Sequence, residues 1–507
     1  MKEIPLSQGI LEILAILFVT SISAAAVFII IIYIIDRNQT VHAIRRNYPV
    51  IGRFRYWFEH LGTFFRQYFF TMDREELPFN RADRSWVYRA AKNISNTVAF
   101  GSTRDLKPAG TVIFVNCPFP TLGKDAVEPK PVTIGEACKI PYTTASIFNI
   151  SGMSFGALSK PAIISLSYGA FKTGAWINTG EGGISPYHLE GGADIVFQIG
   201  TAKYGVRDEH GNLSDEKLQE IAAIEQVKMF EIKLSQGAKP GKGGILPGDK
   251  VTAEIAAIRG IPEGEDSISP NRHPDITCND DLLNMIHHIR EVTGKPVGFK
   301  VVIGAYGWID ELCKKIQERG LDYAPDFITI DSSTGGTGAA PMSLIDYVGL
   351  PIQESLPVVI DKLECHGLRD RIKVIASGKL ITPAEVAWAL CMGADFIVSA
   401  RGFMFALGCI QALQCEKNTC PTGITTHDKK LQRGLVQTQK SWRVAHYIQN
   451  IIHEVGVIGH SCGVKSPREL NREHARIIQA SGRSKSLSEL YPQNNSERKC
   501  EDISPNN

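Results

Sequence analysis

Two hydrophobic patterns divide this chain. From Ile13 to Ile35, "ILAILFVTSISAAAVFIIIIYII", no residue is charged. At about 1.5 Å per helical residue that run crosses a hydrocarbon core of about 30 Å. A signal peptide has a shorter apolar region, with its small-residue cleavage site behind it. Here the alanines sit inside the run, which stays apolar until Asp36-Arg37, so the pattern predicts a retained anchor. The second pattern is an alternation of short β-branched runs with helix-like stretches. The runs are "ASIFNISG" (145–152), "AWINTG" (175–180), "DIVFQIG" (194–200), "KMFEIKLS" (228–235), "VGFKVVI" (297–303), "DFITIDSS" (326–333), "KVIASG" (373–378) and "DFIVSA" (395–400). Between them lie stretches such as "KPAIISLSYGAFKTG", "DDLLNMIHHIREVTG" and "TPAEVAWALCMG". Strand then helix, repeated eight times, predicts an α/β fold: a (β/α)8 TIM barrel behind an N-terminal transmembrane helix, with the third crossover the least regular.

The domains expected from these patterns are a short segment (1–12), the transmembrane helix (13–35) and a basic, aromatic linker and extension packed on the barrel (36–140). The barrel (141–405), a cysteine loop with C-terminal helices (406–485) and a polar, disordered tail (486–507) follow. Within the linker, "RFRYWFEHLGTFFRQYFF" (53–70) reads as a helix docked on the catalytic domain, with the membrane interface as the alternative. Arg37, Arg45, Arg46, Arg53 and Arg55 follow the apolar run, against Lys2 and the amino terminus before it. That bias places the body of the protein in the cytoplasm.

Seven of the eight predicted strands end in small or polar residues, where a barrel builds its active site. "ASGKL" and "SARGF", after the seventh and eighth strands, suit a phosphate: glycine permits close backbone approach, and Lys379 and Arg401 add charge. "DSSTGGTGAAP" is glycine-rich but lacks the closing Gly-Lys-Ser/Thr of a Walker sequence.

Composition changes the picture little. A net charge of +2 over 507 residues argues against a nucleic-acid partner. Most of the eleven cysteines are scattered, as Cys117, Cys138, Cys278 and Cys462 are, which reads as buried reduced thiols rather than a disulfide framework. Cys409, Cys415 and Cys420 instead crowd into "GCIQALQCEKNTCPTG". Zinc usually wants close pairs and a fourth ligand, for which His427 is the only neighbour, and a redox disulfide wants Cys-x-x-Cys. Three thiolates with proline after the last favour an iron–sulfur cluster.

Five segments, "MSFGALSKPA", "NTGEGG", "KLSQGAKPGKGG", "DSSTGGTGAAP" and "GCIQALQCEKNTCPTGITT", together resemble, in order, the FMN-binding domain of the glutamate synthase family, from about residue 45 to 480. The resemblance implies FMN at the barrel mouth and a [3Fe-4S] cluster on Cys409, Cys415 and Cys420. It implies cofactor contacts from Gly152, Met153, Lys300, Gly335, Gly336, Ser377, Gly378, Lys379, Ala400, Arg401 and Gly402. Lys239 and Arg259 would bind 2-oxoglutarate, and Glu181 or Lys239 would supply a proton while ammonia and reduced flavin convert the oxo acid to L-glutamate.

Three departures mark this chain. The family's glutaminase domain is not seen, so ammonia is expected free or from a separate glutaminase subunit. No nicotinamide motif is seen, so a separate electron donor such as ferredoxin or a reductase is expected. Ile245 stands where the larger enzymes carry a substrate-binding glutamine, a loss worth a few kcal/mol of binding if a substrate group goes unpaired. Two alternatives follow: the same cofactors acting on another 2-oxo acid, imine or glutamyl-amine, or a non-catalytic electron-transfer subunit at the membrane.

Overall fold

A computed structural model describes residues 6–492. The chain divides into two units between Ala82 and Asp83, well before the expected boundary at 140. The first unit opens with α1 (Leu6–Asn38), which has no internal proline to break it. Its stretch Gly9–Asn38 is long and apolar enough to cross a membrane. The helix starts before the predicted Ile13, because "LSQGILE" continues the helical run. A five-residue helix, Ala43–Asn47, leads to α2 (Gly52–Phe65), extended by a wider turn over Arg66–Phe70. The predicted aromatic helix thus forms, and Phe54, Trp57, Phe58 and Phe64 are exposed.

The second unit is built on eight parallel strands closed into a barrel. They are β1 (Phe148–Ile150), β2 (Ile177–Asn178), β3 (Ile195–Ile199), β4 (Val227–Lys233), β5 (Val297–Val301), β6 (Phe327–Asp331), β7 (Lys373–Ser377) and β8 (Phe396–Ser399). Pairing of Ile397 with Phe148 closes the ring. Strand side chains alternate between faces, so Met229, Glu231 and Lys233 of β4 share the interior face while Phe230 and Ile232 share the other. The interior is graded along the barrel. At the amino end Met229, Phe327, Ile375, Phe396 and Trp176 form an apolar layer, plugged by Ile134 and Tyr142 of the hairpin Val132–Ile134/Tyr142–Thr144. Each such buried side chain contributes about 1.5–3 kcal/mol. Toward the carboxyl end the interior turns polar.

The crossover irregularity falls elsewhere than predicted. The third crossover carries the ordinary helix Asp215–Ala223, whereas the second has only Pro186–Leu189. The fourth makes an excursion through the ladder Ile245–Leu246/Ser267–Ile268 and the helix Ala253–Arg259. That excursion carries Lys239, Ile245 and Arg259.

The first crossover helix, α3 (Lys160–Phe171), starts at Ser159, whose hydroxyl accepts from the Ala162 N–H. Against it packs α5 (Gln437–Cys462), so closely that a methyl group on Gly169 would strike Val444. Val112–Phe114, Ala475–Ile478 and Ser484–Ser486 form a separate antiparallel sheet. Where a disordered tail was expected to begin, Leu487–Leu490 is helical, capped by Ser486 and Glu489; residues 493–507 lie outside the described part. Nine of the described cysteines are free thiols, as expected, but Cys365 is disulfide-bonded.

Candidate functional site

The carboxyl ends of the strands surround an open cavity. Nine of the eleven predicted cofactor residues line it: Gly152 after β1, Lys300 on β5, Gly335 and Gly336 after β6, Ser377, Gly378 and Lys379 around the end of β7, and Ala400 and Arg401 after β8. Each of those strand ends is brought there by barrel closure, across more than two hundred residues of sequence. Met153 and Gly402 do not line it. The Met153 carbonyl faces the buried His188 ring at 3.1 Å. Gly402, in the helix α4 (Arg401–Leu407), makes room for the Tyr447 hydroxyl.

Two glycines keep space that side chains would fill. A methyl on Gly336 would lie 2.7 Å from the Arg401 Cδ, and one on Gly152 would lie 2.9 Å from the Asn178 Oδ1. Lys379 adopts φ +59°, a left-handed conformation unusual for lysine and of the kind that clusters at functional sites. Arg401 donates to the Thr334 carbonyl. Burial lowers its guanidinium to about 10, against the opposing pull of Asp331 and Glu385. Asp331 in turn is held by the Ser377 hydroxyl at 3.1 Å and the Gly237 N–H at 3.0 Å. Glycine-lined walls with Lys300, Lys379 and Arg401 around them suit an anionic cofactor with a flat body.

Beneath this cavity Glu231 is buried in the barrel. Its carboxylate accepts from Asn178 (2.8 Å), Gln198 (2.6 Å) and Thr329 (2.6 Å). Two residues further along β4, Lys233 Nζ contacts the Glu181 carboxylate at 2.9 Å and donates to Gln236 at 2.9 Å. Neither Glu231 nor Lys233 was among the predicted residues, yet a signal existed: charges at alternate positions of an otherwise apolar strand must share the barrel's inner face.

The predicted substrate residues converge on Glu181. Burial by itself raises that carboxyl, but Lys233, Lys239 and Arg259 outweigh it and hold it at about 2. Lys239 is lowered to about 8, chiefly by burial, partly restored by Glu181 and depressed again by Lys233, Lys242 and Lys300. Arg259 donates to the Ser267 hydroxyl at 3.1 Å and weakly to Ser154 at 3.4 Å, while its buried Nε has no protein partner. An orphaned buried guanidinium N–H is costly unless a ligand accepts from it. Ile245 follows Gly244, whose missing side chain would run into the Glu181 carboxylate.

The cysteine loop leaves α4 at Gly408 and runs to Thr426. Its thiols lie within one another's electrostatic reach. Burial raises Cys409 to about 12, and Cys415 and Cys420 add to the rise. Burial also raises Cys415, whereas for Cys420 bonds from Thr422 and Thr425 overcome burial and lower it. Among the described residues no three His, Cys, Asp or Glu side chains are gathered tightly enough for one metal ion. His427 is engaged, its Nε2 meeting the Gly156 carbonyl at 2.8 Å.

This loop is tied to the first-strand loop at three further points. Ser159 donates its hydroxyl to the Gly423 carbonyl at 2.7 Å and its N–H to the Ile424 carbonyl at 2.8 Å. The buried Lys250 ammonium bridges the carbonyls of Ala157 at 2.9 Å and Cys415 at 3.3 Å. Gly152 lines the cavity and Gly156 holds His427, and four residues span at most about 14 Å. Lys250 was not predicted; nothing in "PGDKV" distinguishes it from a surface lysine.

The family model described as a conserved region in glutamate synthase matches residues 120–465. The glutamate synthase large subunit-like protein YerD of Bacillus subtilis (strain 168) is 41% identical over 482 residues, covering 87% of this chain and 91% of that protein. The archaeal glutamate synthase (NADPH) of Methanocaldococcus jannaschii is 38% identical over 334 residues, and the match covers 62% of its length. A solved flavocytochrome b2 variant with benzoylformate shares 16% identity at a TM-score of 0.46, over 78% of each chain.

Proposed function

The chain belongs to the glutamate synthase family of oxidoreductases, and from that premise we propose that it makes L-glutamate from 2-oxoglutarate and ammonia, with FMN at the barrel mouth and a [3Fe-4S] cluster on Cys409, Cys415 and Cys420. When bound, the flavin supplies hydride and the cluster passes electrons singly. The observation that carries the reading is the loop from Gly152 to Ser159, which borders the cavity at one end and is bonded to the cysteine loop at the other. Three free thiols carried on one loop, Cys409, Cys415 and Cys420, are the donor type that an iron–sulfur cluster takes.

The chain's own residues divide the work. Lys379, Arg401 and the backbone of Gly378 and Ala400 take the phosphate, while Gly335 and Gly336 keep the wall thin. Lys300, which lines the cavity, would offer a cation to the bound flavin and favour its reduced, anionic form. Gly402 and Met153 act one step away, through Tyr447 and His188. Arg259 and Lys239 accept the substrate carboxylates, and the orphaned Arg259 Nε gains its partner there. Glu181, held ionised, orients Lys233 and Lys239 and is unsuited to proton donation. Lys239, at about 8, is the acid that protonates the new amine nitrogen, and the carbonyl oxygen leaves as water.

We place the protein in the membrane through α1, with the catalytic unit in the cytoplasm and electrons from a separate protein such as ferredoxin or a reductase. Steady-state assay of the full chain with dithionite, 2-oxoglutarate and ammonium tests the activity. Glutamate above a flavin-free control supports it, and none rejects it. The second reading, another 2-oxo acid or a glutamyl-amine, is favoured by the apolar Ile245 beside the glycine packed on Glu181. Ile245→Gln separates the two: faster turnover of 2-oxoglutarate in the variant points to a site shaped for a different acid.

A further inference from the structure

The first unit contains an elbow that no part of the catalytic account uses. Asp36, in the last turn of α1, is 1% exposed. Its carboxylate takes a forked pair from Arg53, with Nε at 2.8 Å and Nη2 at 2.8 Å, and a third bond from the Val50 N–H at 3.0 Å. Val50 is held at φ +68°, a conformation that a β-branched residue adopts only when its surroundings impose it. Gly52 passes so close to the preceding short helix that a side-chain carbon there would lie 2.8 Å from the Ile44 carbonyl oxygen. Arg45 stacks over the Tyr56 ring at 4.6 Å. The start of α2 is therefore fastened to the end of the apolar helix rather than strung from it on a linker.

What α2 then presents is an unpartnered aromatic stripe. Phe54, Trp57, Phe58, Leu61 and Phe64 recur at helical spacing, and Tyr68 and Phe69 continue it. All but Leu61 of these are exposed. Exposed aromatics in such number mark an interaction surface. Arg53 and Arg55 lie in the same helix and Arg66 opens the turn after it, an arrangement that suits the boundary between headgroups and acyl chains. We infer that α2 and the turn after it lie in the cytoplasmic face of the bilayer, aromatic stripe inward, and that the Asp36–Arg53 clamp fixes this helix to the membrane end of α1. The occupant is lipid because the stripe begins where the lipid-spanning helix ends and is bonded to it. The inference rests on the single-span reading of α1.

The test uses the full chain in phosphatidylcholine vesicles whose acyl chains carry bromine either near the headgroup or near the bilayer centre. Subtracting the Trp57→Phe signal isolates the fluorescence of Trp57. The expected result is flotation with the vesicles and quenching of Trp57 roughly twofold stronger by the shallow bromines than by the deep ones. Arg53→Gln, measured with its own Trp57→Phe partner, should still float but lose most of that shallow quenching. A protein that fails to float overturns the span and this inference together. A protein that floats with Trp57 quenched by neither bromine overturns the inference alone and shows the stripe covered by protein, either this chain or a second copy. Unchanged quenching in Arg53→Gln overturns the role of the clamp.

Discussion

Glu181 and Lys239 sit in one ion cluster yet are driven to opposite uses. The carboxyl is pinned as an anion at about 2, while the ammonium is brought down to about 8, within working range of a proton donor. Lys239 donates only when protonated, so kcat/KM should fall as pH rises through about 8 in the free enzyme. Lys239→Met should abolish that limb and lower the rate by about 10²–10⁴-fold. A variant that keeps the alkaline limb would assign the proton to another group. The second residue-level prediction concerns space. Gly336→Ala puts a carbon 2.7 Å from Arg401, and an overpacking cost of about 1–3 kcal/mol should weaken FMN retention about tenfold or more, read as flavin released on gel filtration. At this scale the sequence disclosed residues that carry a motif, such as Cys415 or Lys379. Glu231 and Lys233 showed only as alternate charges in an apolar strand, and Lys250 was concealed, because its importance comes from burial and from partners distant in the chain.

At the scale of elements the strands were legible because parallel barrel strands are buried on both faces and read as β-branched runs. Seven fall within the predicted spans, and β4 starts one residue before its span, at Val227; most are shorter by a few residues at the ends where the runs pass into loops. The fourth crossover was not legible. Its small antiparallel ladder pairs two residues with two, too little pattern to see, yet it positions Arg259 beside Ser267. The cysteine loop was read for its thiols but not for its shape. Gln411, Leu413 and Asn418 take left-handed conformations without glycine, and Asn418 is tied to Asp249 and His427 by its side chain. Such a loop is held by its surroundings rather than by propensity. Cys415→Ser should therefore lose iron and its EPR signal while the barrel keeps its flavin. Loss of both together would mean that cluster and flavin cannot form independently.

At the largest scale, the second unit is a barrel graded from an apolar plug at one end to cations and glycines at the other, with the cysteine loop bonded to that polar end. The sequence announced the apolar run at the amino terminus and the barrel, because both are written in periodicity. The division at Ala82–Asp83 was not legible, since a linker and a packed extension share the same composition. The account stands on reduced flavin in this cavity doing chemistry on an oxo acid and ammonia. The direct measurement is a single turnover: full-length protein, reduced under anaerobic conditions and freed of excess reductant, mixed with 2-oxoglutarate and ammonium while flavin absorbance is followed. The account predicts reoxidation that needs both compounds and yields glutamate in proportion to the flavin. A protein without flavin, or a bound flavin that stays reduced in the presence of both, would contradict it.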